Sequence, residues 1–190
     1  VRDIAREENL HFKLGIAEAD IKKETVLAAL KNGQISSLPF VPPLTPAVVE
    51  ESENIVAQMG VEPFIKLLEA GAQVIVAGRS YDPAVFAALP IWRGYDPGLA
   101  LHLGKILECA AIAATPGSGS DCAFGTLTED SFILEALSSE RKFTPESAAA
   151  HTLYEKSDPY HLPGPGGSID LTGCKFEDLG QGRVRVSGSR

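Results

Sequence analysis

The sequence predicts an α/β fold, a mostly parallel sheet flanked by helices, followed by a β-rich C-terminal segment. Three observations carry this. Short, nearly all-apolar runs such as 72–77 have the character of strands covered on both faces. They alternate with stretches of helical periodicity over roughly the first two-thirds of the chain. From residue 168 onward the apolar segments shorten and are punctuated by glycine, as in an antiparallel meander.

Each element has its own reason. Val1, Ile4 and Ala5 share a face at i, i+3, i+4 spacing and read as the last turns of a helix. Residues 11–17 form a short apolar run suited to a buried parallel strand, with Glu18, Ala19 and Asp20 at its carboxyl end. Residues 22–32 are helical, stopped by Gly33. The segment 34–46 holds Pro39, Pro42, Pro43 and Pro46 and reads as an ordered loop, with Thr45 capping a helix that starts at Pro46. A helix over 62–70 turns Phe64, Leu67 and Leu68 inward and ends at Gly71. The strand 72–77 follows. Asp82 and Pro83 then read as N-cap and first residue of a helix through Leu89. Residues 98–114 form a longer helix whose stripe is Leu99, Leu103, Ile106, Leu107 and Ala110, with His102, Lys105 and Glu108 on the opposite side.

Beyond Pro116 the character changes, which suggests an α/β domain over 1–116 and a mixed α+β segment over 117–190. A strand is expected over 131–137, a helix capped by Thr144 and started by Pro145 to about Glu155, and a turn-rich stretch over 157–167. Strands over 168–171, 174–178 and 183–187 complete the meander, with Gly180, Gln181 and Gly182 as a hairpin turn. Both ends read as cut inside structural elements, so the sequence reads as a piece of a longer protein.

Composition removes several functional classes. There are 17 Lys and Arg against 25 Asp and Glu, a net charge of −8, which disfavours a nucleic-acid partner. With 44% hydrophobic and 22% charged residues the mixture is globular, not disordered. Three cysteines without CxxC spacing argue against a disulfide framework or zinc site and point to a reducing, cytoplasmic setting. No leader is read at the start and no run reaches the roughly 18 apolar residues that span a bilayer, so no membrane partner is expected. The most apolar stretch, 99–114, is interrupted by His102, Lys105 and Glu108.

Candidate sites follow from placement. In open α/β sheets ligands bind beyond the carboxyl ends of strands, often against a helix N-terminus. The segment Gly78, Arg79, Ser80, Tyr81, Asp82 lies there. Arg79 is suited to grip a carboxylate or phosphate in a two-pronged bond, Ser80 and Tyr81 add hydroxyls, and Asp82 is either a cap or a base. The competing reading pairs Arg79 with a neighbouring acid. Gly117, Ser118 and Gly119 form a second candidate, a glycine-rich turn able to cradle an anion, or else a plain loop. It lacks the lysine of a P-loop and the spacing of a dinucleotide fingerprint, so no cofactor is assigned. Cys122 beside it is either a nucleophile or a small buried residue. The third candidate is the loop from Tyr154 to Gly167, with Glu155, Asp158 and His161 as acid–base groups that close over a substrate, or an interdomain connector. His102 and His151 lack a helical ligand partner and read as surface or packing residues; no metal-ligand set is read.

These residues also carry a resemblance. The run from Gly71 to Ala84, the stretch His102 to Ala110 and the segment Ser157 to Pro163 resemble, in the same order, motifs of the acyclic terpene utilisation (AtuA-like) family. Where the family pattern places an acid after Leu-Pro, this chain has Gly164, which marks a divergent branch. Family members are typically about twice as long, with a glycine-rich N-terminal segment not found here. The resemblance implies a part in breaking down acyclic terpenes or other small branched or carboxylated metabolites, in some cases beside a small companion subunit. It supplies no catalytic residues.

Two functions are therefore expected to compete. One is a catabolic enzyme for a small carboxylated or acyl substrate, a homo-oligomer using lyase- or hydratase-type acid–base chemistry. The other is a non-catalytic subunit or scaffold of a catabolic complex.

Overall fold

The computed structural model describes residues 1–38 and 40–190; Pro39, one of the prolines of the expected 34–46 loop, lies outside the described residues. The chain runs through α1 (Arg2–Glu7), β1 (Leu14–Ala17), α2 (Lys23–Lys31), α3 (Pro46–Glu51), α4 (Glu62–Glu69) and β2 (Val74–Ala77). It continues with α5 (Asp82–Trp92), α6 (Pro97–Leu107) and the short α7 (Ala110–Ala113). The remainder is β3 (Ala123–Leu127), β4 (Ser131–Ala136), α8 (Pro145–Thr152), β5 (His161–Gly164), β6 (Gly167–Asp170), β7 (Lys175–Gly180) and β8 (Arg183–Ser187).

The fold is mixed α/β, but its sheet is not mostly parallel. Parallel pairing is confined to β1 and β2, from Leu14 against Val74 to Ala17 against Ala77. The largest sheet among the described residues is antiparallel, in the order β3-β4-β8-β7, and β5 and β6 form a separate antiparallel hairpin. The difference has two physical causes. β3 is hard to see in sequence because Gly125 sits in its middle, where a Cβ would come within 2.7 Å of Leu103. Strand β4 then pairs with β8 across about fifty intervening residues, a contact that local patterning does not encode. The two-stranded parallel unit is also not covered on both faces. Helix α4 closes against Gly15, where a Cβ would meet Leu67 at 3.1 Å, while Ile16 and Val76, paired in register, are 54% and 42% exposed.

Local capping follows side-chain chemistry. The Thr45 hydroxyl accepts from the Val48 amide ahead of Pro46. Asp96 caps α6 through Leu99 N at 2.9 Å. Thr144 and Ser147 form a reciprocal capping box for α8. Asp82 is not a cap: Tyr81 holds that position without a side-chain bond, and Asp82 is the first helical residue.

Helix α6 decides where the core sits. Its Leu99, Leu103 and Ile106 pack against Phe132, Leu134, Val184 and Val186 of the antiparallel sheet, with Phe143 and Ala148 closing the cluster. Its other side meets α5, where Gly104 allows the helices to touch: a Cβ there would lie 2.6 Å from the Pro83 carbonyl oxygen. A helix enclosed on both sides has no solvated face. His102 and Lys105, expected on the side opposite the apolar stripe, are therefore buried, and of the two readings of His102 the structure has the packing residue. The long helix expected over 98–114 also breaks after Leu107, where Cys109 leaves the helical region with φ −123° and ψ 40°. No helix among the described residues is long and apolar enough to cross a membrane.

Candidate functional site

The segment after β2 is built for close contact. Gly78 lies against Ala19, where a Cβ would come within 2.8 Å of the alanine methyl. Backbone bonds between Met59 and the pair Arg79 and Tyr81 pin the next residues at 3.2 and 2.8 Å. Ser80 is buried and donates to the Gly78 carbonyl at 3.1 Å. The Arg79 guanidinium turns back on its own segment, donating to the Ser80 carbonyl and to the Asp82 carboxylate. The reading that pairs Arg79 with a neighbouring acid thus describes its partner in the structure. Arg79 faces a shallow hollow outside β2 and α5, with Ser80 and Asp82.

On the inner side the same turn opens onto a cleft of about 240 Å³. Tyr81 and Asp82 line it from the start of α5, Lys105 and Glu108 from α6, Glu155 and Lys156 from the turn after α8, and Gly164 from β5. Three carboxylates and two ammonium groups thus share one small cleft. Lys105 donates to Glu108 at 2.6 Å, with side-chain exposures of 2% and 11%. Its ammonium also lies 5.3 Å from the ring centre of Tyr154. Lys156 donates to the Tyr81 hydroxyl at 3.1 Å and sits 5.1 Å from that ring's centre. Glu155 is held at φ +60°, a left-handed conformation that a non-glycine residue adopts at a cost of about 1 kcal/mol or more. Strain of this kind concentrates at functional sites.

The surrounding groups respond to this charge. Burial raises the Cys109 thiol above its ordinary value; Glu108 raises it further, Lys105 opposes, and Glu155 and Asp82 add to the rise. Cys109 is therefore a protonated thiol at neutral pH. The Tyr154 hydroxyl is raised by its hydrogen bond to Glu155 and by that carboxylate's charge. His151, stacked on Tyr154 with ring centres 5.5 Å apart, is lowered to about 4, first by burial and then by Lys105.

A family model described as acyclic terpene utilisation family protein AtuA matches residues 1–126. The chain belongs to the acyclic terpene utilisation family. No curated protein and no solved structure matches it. The matched region of this family member contributes Tyr81, Asp82, Lys105 and Glu108 to the cleft. The other wall, Glu155, Lys156 and Gly164, lies beyond it.

Of the residues singled out from sequence, the cleft brings together Tyr81, Asp82 and Glu155. Asp158 and His161 do not line it. Asp158 instead accepts from the Tyr160 and His161 amides at 2.7 and 2.8 Å, and these bonds hold its carboxyl below the usual range. His161 is exposed at the start of β5, with Nδ1 3.7 Å from Asp158. Gly117, Ser118 and Gly119 do not line the cleft either. Their loop is knit to α7 by Ser118 N donating to Ala111 O and by Arg141, which reaches Asp121 at 2.6 Å. Cys122 is exposed, not a small buried residue. Among the described residues no group of three His, Cys, Asp or Glu side chains is arranged to hold a metal ion. Lys105, Glu108 and Lys156 also line the cleft and are not among the candidates read from the sequence. The available signal was a Lys and a Glu three apart inside the most apolar stretch of the chain, where two solvated charges have little reason to be.

Proposed function

We propose that this family member is a catabolic enzyme acting on a small carboxylated or acyl metabolite in the breakdown of acyclic terpenes or related compounds. One observation carries the reading: a buried lysine, Lys105, opens onto a small cleft that also holds Lys156, Asp82, Glu108 and Glu155. Strongly placed charges in a partly dry cleft are what acid–base chemistry on a carbonyl compound needs. Lys156 and the Tyr81 hydroxyl are placed to hold the carboxylate or carbonyl oxygen. Lys105 offsets negative charge as it develops there. Asp82 or Glu155 takes the proton from the carbon next to the carbonyl and returns it, so the enolate and the protonated carboxyl exist together and no net charge is created. Arg79 and Ser80 act behind this wall, Arg79 by holding the Asp82 carboxylate in place. The loop of Gly117, Ser118 and Gly119, and the pair Asp158 and His161, keep their expected roles only if they approach a bound substrate.

The test is isotope exchange. The protein is incubated in D₂O with a butyryl thioester of pantetheine, and deuterium at the carbon next to the carbonyl is followed by mass spectrometry. Exchange is expected for the unaltered chain and a loss of about 10²-fold or more for Asp82→Asn or Glu155→Gln. Absence of exchange above the uncatalysed rate removes the enzymatic reading for this chemistry.

A second reading has its own observation. Val85, Phe86, Leu89 and Trp92 make an exposed apolar face on α5, of the kind that a partner covers. A second copy or a small companion subunit seated there would suit a scaffold of a catabolic complex. Light scattering of the chain and of Phe86→Ser tests whether this face holds a partner; an oligomer lost in Phe86→Ser together with no isotope exchange in the unaltered chain favours the scaffold.

A further inference from the structure

Beside the polar cleft lies a second hollow of about 320 Å³ whose character is the opposite. Its wall includes Val61, Ile91, Pro97, Leu101, Leu162 and Ile169. Leu162 and Ile169 are 1% and 3% exposed and belong to a hydrophobic cluster against which Leu101 packs, so this wall is fixed by the core. The charged residues at the hollow are Glu62 and Arg190, both exposed.

The two hollows share a wall. Tyr81 and Gly164 line both of them. A Cβ on Gly164 would fall 2.9 Å from Tyr81 Cε1 and 3.1 Å from Cζ, so the bare glycine is what lets the ring lie flat against β5. The phenol is amphipathic, with its hydroxyl accepting from Lys156 on the polar side. The loop over 58–62 also serves both, with Gln58 at the polar cleft and Val61 at the apolar hollow.

We infer that the two hollows form one bipartite site, in which the apolar one holds the hydrocarbon chain of a ligand whose carboxylate or acyl head lies at Lys156 and Lys105. The inference rests on the head-group assignment proposed above and adds the substrate class: an acid or acyl compound with a tail of several carbons, selected over short acids of the same head. A purely polar metabolite leaves the Leu101 and Ile169 wall wetted, at a cost that scales with its area. A chain that passes Tyr81 covers that wall while its charged end stays in the polar cleft.

The experiment titrates the whole protein with straight-chain monocarboxylates from acetate to decanoate by isothermal calorimetry. Affinity is expected to rise roughly fourfold per added methylene until the hollow is filled, then to level off. Leu101→Trp and, independently, Ile91→Phe fill the hollow and should flatten this dependence while leaving acetate and propionate binding unchanged; their short-acid binding also reports that each variant is folded. Lys156→Met should weaken every acid by a similar factor and keep the slope. Binding of short and long acids with equal affinity, or a slope that both filling variants preserve, overturns the tail site but not the head-group reading. No binding by any of the acids overturns both.

Discussion

Lys105 donates to Glu108 at 2.6 Å from one turn earlier on α6, and neither side chain has more than a tenth or so of its surface in water. A pair this dry is held by its own geometry: removal of one partner leaves a charge with little solvent to replace it. Lys105→Met and Glu108→Leu are each expected to destabilise the chain by about 3 kcal/mol, and the double variant by clearly less than the sum. Urea unfolding of the four proteins in the cycle measures this. Additive losses below about 0.5 kcal/mol would mean that the pair is solvated.

The same pair shows what the sequence makes legible. The helices α1 to α6 and the strands β1, β2, β4, β6, β7 and β8 have local signals: Thr45 before Pro46, Gly71 after α4, the apolar run into Gly78, the turn at Gly180 to Gly182. Tyr81, Asp82 and Glu155, which line the cleft, are legible as candidate residues because each stands near the beginning or end of an element. The burial of Lys105 was not, because the helical period separates two faces of α6 but carries no information on whether a sheet and a second helix enclose both. Antiparallel pairing of β4 with β8 was hidden for the same reason, as it depends on partners far apart in the chain. Lys156 was passed over because its contact with Tyr81 spans 75 residues.

Close helix packing gives a second prediction. A Cβ at Gly104 would lie 2.6 Å from the Pro83 carbonyl oxygen and 3.1 Å from its Cα, both main-chain atoms that cannot step aside. Gly104→Ala is expected to force α5 from α6 and cost about 2 kcal/mol or more. Pro83 follows Asp82 directly, so the displacement also reaches the cleft. Gly119→Ala, with nothing within 4 Å of the new methyl, should stay within about 0.5 kcal/mol of the unaltered chain. Thermal unfolding of both checks the contrast.

Arg141 governs the loop around Gly117 to Gly119. Its guanidinium donates to the Pro116 carbonyl at 2.8 Å and to Asp121 at 2.6 Å, and also bonds the Ala111 carbonyl. The bond from Arg141 is the main reason the Asp121 carboxyl lies below its usual range. Arg141→Gln should loosen this loop without unfolding the sheet. Hydrogen exchange at Ser118 N, which bonds Ala111 O at 2.7 Å, is expected to speed up by about tenfold or more. Exchange in β4 and β8 should be unchanged, and acceleration there instead would show that Arg141 supports the global fold.

The last prediction concerns two buried histidines. His102 bonds Ser189 Oγ through Nδ1 at 2.6 Å and Thr152 Oγ1 through Nε2 at 2.8 Å. The Thr152 hydroxyl donates to Ala148 O, so it accepts from Nε2–H, and Ser189 donates to a bare Nδ1. This arrangement satisfies both ring nitrogens in the neutral form. Burial, and after it Lys105, lowers His102 to about 3, and the same two causes lower His151 to about 4, with Glu155 opposing. In the unfolded chain both return to about 6.5. As pH falls below that value the unfolded chain takes up protons that the native state refuses, so stability is complete above pH 6.5 and declines toward the native values. Each histidine contributes a slope of up to about 1.4 kcal/mol per pH unit, which makes the combined loss at most about 3 kcal/mol between pH 6.5 and 5. Asp158 and Asp170 are shifted down as well, but their contribution is lost only on further acidification, so it does not mask this window. Urea midpoints at pH 7.5, 6.5, 5.5 and 5.0 measure the decline. His102→Gln should be less stable than the unaltered chain at pH 7.5 yet lose only about half as much on going to pH 5. Parallel curves for the two proteins would mean that His102 titrates normally in the native state.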